Sequence, residues 1–175
     1  EPGNQNFLTP EFWQPMVETV HGTIVECNTA YPGERNTTDA HRRTMIKHGW
    51  SKLFDVDILD AEGPDLELPI PNGKRIQKNL VGKDIKNYDS MLVLSHFKGH
   101  PMGGFGGALK QLSIGCASSA GKANIHGAGK PEEMWTTEQN AFLESMADAA
   151  ESVVKLFDGK IVYINVMKNM SVDCD

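Results

Sequence analysis

The chain has 175 residues, with 17 basic and 23 acidic side chains for a formal net charge of -6. That length suits one domain with a real core, and 39% hydrophobic against 23% charged residues excludes a disordered chain. The negative balance argues against nucleic acid as a partner, no apolar run reaches the roughly 20 residues that cross a bilayer, and three scattered cysteines without a CxxC pair exclude a disulfide scaffold and point to a reducing, cytoplasmic location.

Residues 11–20 place Phe12, Trp13, Met16, Val17 and Val20 along one side of a helix that follows Pro10, with Pro15 as an interruption. TIVEC at 23–27 reads as a short apolar strand. Thr37, Thr38 and Asp39 form a helix start, and the helix is expected to run to His48 with Gly49 as its stop. LFDVDIL at 53–59 is a second strand. Residues 66–76 contain Asn72-Gly73 and are expected to form an edge hairpin, because that dipeptide tolerates the positive φ angles of tight turns. SMLVL at 90–94 and IVYINV at 161–166 are apolar almost throughout, as strands buried on both faces are. Residues 137–157 carry Phe142, Met146, Ala149, Val153 and Phe157 at helical spacing, with Thr136 and Gln139 as a reciprocal capping box and Gly159 as the stop. Strands alternating with helices predict an α/β fold whose mainly parallel sheet is covered by helices on both faces. The chain opens Glu1-Pro2-Gly3 without an initiator Met and stops just past its last strand, so the expectation is a single α/β domain over residues 1–175, truncated at both ends.

Charge is partitioned along the chain. Residues 90–131 contain no Asp or Glu, yet carry Lys98, Lys110, Lys122, Lys130 and three of the six histidines: His96, His100 and His126. Nine of the 17 glycines lie between Gly99 and Gly129. The apolar strand runs into Ser95-His96-Phe97-Lys98-Gly99-His100, then Gly103-Gly104-Phe105-Gly106-Gly107, then Ala108-Leu109-Lys110, which reads as the first turn of a helix. Strand, glycine loop and helix start together make an anion site: glycines let backbone N–H groups approach a ligand, and the helix start adds partial positive charge. The expected ligand is a phosphate or small carboxylate. Ser95 and the amides of Gly103, Gly104, Gly106 and Gly107 would hold it, with Lys98 and Lys110 as countercharges. The pattern is neither a P-loop nor GxGxxG. Asn28 and Arg35, beyond the carboxyl end of the first strand, are assigned to the opposite wall with Glu26. His41, with Arg42 and Arg43, reads as a solvated helix face.

His96 and His100 form HxxxH and have three readings: ligands of a divalent metal, proton carriers or anion contacts near neutral pH, or structural histidines. A third metal ligand would have to come from Glu26, Asp57, Asp60, Cys116 or His126. His96, His100, Lys110 and His126 are the candidate catalytic groups, suited to proton abstraction beside a carboxylate. Cys116 is a candidate nucleophile with His126 or His100 as its base, or a small buried hydrophobe.

The run SHFKGHPMGGFGGALKQLSIGCASSAGKANIH closely resembles the signature of domain-of-unknown-function family 362, often found in iron–sulfur proteins. ECNTAYPGERNTTDAH, HGW, YDSMLVLSHFKGH and VDCD extend the resemblance over nearly the whole chain. Many members carry a ferredoxin-like insert with clustered cysteines. This chain has none, so no cluster is expected in it, and the resemblance implies an alternative role as a non-catalytic accessory of an electron-transfer system with a ferredoxin-like domain or protein as partner. A second similarity is to lactate racemase, whose signature has a glycine pair, then Lys, then a His about sixteen residues on. Gly106, Gly107, Lys110 and His126 stand at that separation. In that family these positions serve a nickel-pincer cofactor and proton transfer, which implies Lys110 and His126 as a working pair.

Overall fold

The computed structural model describes residues 7–171. The VDCD segment at 172–175 lies outside the described residues, as do residues 1–6. Helix α1 (Pro10–Val20) starts on a proline, which is pre-set for a first helical turn, and continues through Pro15. Strand β1 (Ile24–Glu26) follows, and then α2 (Thr38–Lys47), where the Thr37 hydroxyl accepts the Ala40 N–H at 3.4 Å. Gly49, at φ 83°, turns the chain into the single turn α3 (Trp50–Leu53) and then β2 (Val56–Ile58). Next come β3 (Leu66–Pro69), β4 (Lys78–Val81) and β5 (Met91–His96). The basic segment holds β6 (Lys98–His100), β7 (Gly104–Gly106), α4 (Ala108–Lys110), a π-helical stretch (Gln111–Gly115) and α5 (Ser119–His126). The long helix α6 (Gln139–Leu156) leads into β8 (Ile161–Val166).

Among the described residues the strands form four two-stranded ladders rather than one continuous sheet. β1 runs parallel to β2, with Ile24 opposite Val56, and β5 runs parallel to β8, with Met91 opposite Ile161. β3 and β4 are antiparallel, as are β6 and β7. The α/β class therefore holds at that level.

Local differences have local causes. The hairpin forms, but its strands are joined by residues 70–77 rather than by a two-residue turn, and the Gly73 N–H bonds back to the Ile70 carbonyl at 2.9 Å. The capping box does not form. An upstream 3-10 turn draws both the Thr136 and Thr137 hydroxyls to the Glu133 carbonyl, and Gln139 donates instead to the Met102 carbonyl at 3.1 Å. β8 is apolar yet leaves Val162 62% exposed, because it pairs with β5 alone.

Three clusters form the core. The largest joins Cys27, Leu59, Val81 and Val93 to Val153 of α6 and to Phe157 just past its end. A second packs Phe142, Met146 and Ala149 of α6 on Ile125 of α5 and on Ile70 and Ile76 of the hairpin connection. The third seats Trp13 and Val17 of α1 against Ile24 of β1, Leu94 of β5, and Ile164 and Val166 of β8, so one helix covers strands from both parallel ladders.

Candidate functional site

The carboxyl ends of β1 and β5 open into one cavity of about 650 Å³. Glu26 and Cys27 come from β1 and its end, Ser95 and His96 from β5, Lys98, His100 and Gly106 from the β6–β7 ribbon, and Lys110, Gln111 and Ile114 from the helix that follows. α5 contributes Lys122 and His126, while Arg35, His41 and His48 come from the β1–α2 connection, α2 and its end. The cationic lining is thus Arg35, Lys98, Lys110 and Lys122 against one carboxylate, Glu26, with five of the six histidines around them. A protein of net charge -6 has gathered its imidazoles and a quarter of its cations at the ends of its parallel strands.

Several of the sequence-predicted groups line this space: Ser95, His96, Lys98, His100, Gly106, Gly107, Lys110, His126 and Arg35. The backbone arrangement differs from the expected glycine loop. Gly104 and Gly106 stand in the β6–β7 ladder opposite His100 and Lys98, and the Gly103 N–H donates to His100 Nδ1 at 2.9 Å. The first helical amide, Ala108 N–H, is held by the Asn165 side-chain oxygen at 2.9 Å. The amides expected to cradle an anion are thus largely committed within the protein, and α4 is a single turn. Gly103 and Gly104 are not lining residues, and neither is Asn28. Asn28 is buried: its amide donates to Thr38 Oγ1 at 3.1 Å, and its oxygen accepts from His41 Nδ1 at 3.2 Å. His41 is 1% exposed, so it is no solvated helix face; its partner is in the β1–α2 connection, four residues before Pro32.

The two halves of HxxxH are tied separately. His96 Nε2–H donates to the Lys168 carbonyl at 2.6 Å, and His100 Nδ1 accepts from Gly103. Asp57 accepts the Tyr88 hydroxyl at 2.9 Å, and Asp60 is occupied with amides. Among the described residues no three His, Cys, Asp or Glu side chains converge as a metal would require. Cys116 is buried with its thiol pushed up to about 12, chiefly by burial, and the Cys27 thiol beside it is raised further by the same cause. Burial favours the neutral thiol in both, and Cys116 packs in the core cluster with Cys27, Leu59 and Val93.

Lys122 and His126 of α5 line the cavity side by side. Lys122 is 6% exposed, and its Nζ donates to the Ala117 carbonyl at 2.6 Å. His126 Nδ1–H donates to the Lys122 carbonyl at 2.7 Å, which fixes the tautomer and leaves Nε2 as an acceptor. Burial lowers its pKa below the usual histidine value. The bond to Lys122 opposes that shift, and the charges of Lys110 and Lys122 add to it, so the ring is neutral near pH 7. It stacks on Phe142 at 4.7 Å between centroids. Ser95 Oγ is buried in β5 without a hydrogen-bond partner. The sequence analysis counts Lys122 in the basic run without giving it a role, and the structure sets it beside His126 in the cavity lining. The signal was its placement in SAGKANIH, four residues before His126 and so on the same helical face.

The wall residues are held to one another by Asp60. One carboxylate oxygen accepts the Asn28 N–H and the other the Ser119 N–H, each at 2.9 Å, while Ser119 Oγ donates to the Thr29 carbonyl at 3.0 Å. The start of α5 is thereby fastened to the end of β1.

Fold and cavity together define an α/β protein with an electropositive hollow at the carboxyl ends of parallel strands. No helix of the described residues is long and apolar enough to cross a membrane. The chain belongs to the family described as domain of unknown function (DUF362), whose model matches residues 1–175. No curated protein and no solved structure matches it.

Proposed function

We propose that the cavity binds a small organic anion, a carboxylate or phosphate, and that His126 exchanges a proton with it. The observation that carries this reading is Lys122: an ammonium group nearly removed from water, hydrogen-bonded to one carbonyl, in a hollow with three further cations and one carboxylate. A buried charge is costly unless a counterpart meets it, so an anion supplied by the ligand completes the arrangement. Lys98 and Lys110, which line the same cavity, add countercharge to the ligand. His126 presents a neutral Nε2, the form that accepts a proton from a carbon beside a carboxylate, and Lys122 and Lys110 stabilise the extra negative charge that forms there.

Calorimetric titration with inorganic phosphate and with malonate tests the reading. Lys122→Met keeps the length of the side chain and removes its charge, so affinity should fall at least tenfold. Unchanged affinity in a folded Lys122→Met protein would overturn the proposal.

A further inference from the structure

Ser95 and His96 are neighbours on β5 and serve opposite faces of the β5–β8 ladder. Val93 packs with Leu112 and Cys116 and with Val153 of α6, whereas Leu94 packs against Trp13 and Val17 of α1. Side chains alternate along a strand, so Ser95 shares the face of Val93 and His96 the face of Leu94. The His96 contact agrees: its ring meets the Lys168 carbonyl, and Lys168 Nζ lies 5.1 Å from the centre of the Phe12 ring of α1. α5 belongs to the Ser95 face, because α6 carries both Val153 and Phe142, and Phe142 packs on Ile125 of α5. Ser95, Lys122 and His126 thus line the cavity from one face of the ladder, and His96 lines it from the other.

Ser95 is 1% exposed, and its Oγ has no hydrogen-bond partner. A hydroxyl withdrawn from water and left unpaired costs stability, so its presence at the end of β5 calls for an acceptor that the chain does not supply. Lys122 stands in a related position: of its three N–H groups, one meets the Ala117 carbonyl. The donors offered to a ligand on this face are therefore side-chain donors. The helix-start amides that phosphate sites draw on are spent, since Asp60 accepts the Ser119 N–H at the start of α5 and Asn165 accepts the Ala108 N–H at the start of α4. Asp60 also puts a negative charge of the protein's own at the start of α5, where a phosphate would otherwise sit.

On the basis of the anion binding proposed above, we infer that the ligand is a carboxylate rather than a phosphate, and that Ser95 is a specificity residue that donates its hydroxyl to the carboxylate that Lys122 neutralises. A carboxylate presents two oxygens in one plane, a demand that one hydroxyl and one ammonium group meet. A phosphate presents three strong acceptor oxygens around a tetrahedron and is poorly served without backbone amides. With the carboxylate on this face, the carbon beside it is presented to His126 and not to His96.

The test is calorimetry with malonate and with inorganic phosphate on the parent and on Ser95→Ala. Both probes are dianions at about pH 8, so the comparison reads geometry rather than charge. The parent should bind malonate at least tenfold more tightly than phosphate. Ser95→Ala should lose about tenfold in malonate affinity, as expected for one hydrogen bond to a charged group, with far less change for phosphate. Its urea midpoint without ligand should equal or exceed that of the parent, because the hydroxyl has no partner in the unliganded fold. Equal affinity of the parent for the two probes, or unchanged malonate affinity in Ser95→Ala, would overturn the inference and leave the anion-binding reading standing. A clearly lowered urea midpoint in Ser95→Ala would also overturn it, by showing that the fold uses the hydroxyl. Failure of the parent to bind either probe would overturn both.

Discussion

Asp148 on α6 and Lys122 on α5 are both buried charges that lean on main-chain groups, and they are satisfied to different degrees. Asp148 accepts three backbone N–H groups, from Lys74, Arg75 and Ile76, at 3.0, 2.7 and 3.1 Å. These amides converge on the carboxylate from the hairpin connection, so its charge is answered inside the fold. Lys122 meets one carbonyl and otherwise faces the cavity. A charge surrounded by its own chain holds structure; a charge left facing a hollow is available to a ligand.

The contrast makes quantitative claims. Asp148→Ala should lose the most, about 3 kcal/mol of stability in urea denaturation, because it strands three amides at once. A loss below about 1 kcal/mol would mean that water replaces the carboxylate and that the two sites are alike. Lys122→Met should change stability by about 1 kcal/mol or less in the same measurement, since little of its charge is used by the fold and the methionine fills the space. A large loss there would move Lys122 into the structural class. The smallest effect is on pH dependence. The folded His126 holds its proton less tightly than the reference value of 6.5, so on acidification the unfolded chain protonates first and stability falls as pH drops through about 6.5. His126→Gln removes that contribution, and denaturation between about pH 7 and pH 5 should show a shallower decline than in the parent. His48, also lowered by burial, keeps part of the slope in both proteins.

The sequence reading located the basic half of the cavity because charge partition survives folding: a run of 42 residues without a carboxylate has none to contribute wherever it packs. The runs that became β5 and α6 were legible from their apolar patterns. The density of glycines did not separate those at the cavity, Gly106 and Gly107, from one required by close packing. A Cβ on Gly121 would sit 2.0 Å from the Leu80 carbonyl oxygen, where α5 crosses β4. The burial of His41 and Lys122 was not legible, since each depends on a partner from a distant element or on the cavity itself. The breadth of the sheet was not legible either, because an apolar run marks a buried strand without saying which neighbours hydrogen-bond to it.

Asp60 sets the gauge of the hollow. Because its two oxygens clasp the end of β1 and the start of α5, the helix that carries Lys122 and His126 is positioned against β1 through main-chain amides rather than through side-chain adjustment. The opposite side is fastened differently: the β6–β7 ribbon, which carries Lys98 and His100, pairs with no other strand among the described residues and is tied to the chain beyond β8 by the Gly99 N–H on the Ser171 carbonyl at 2.9 Å.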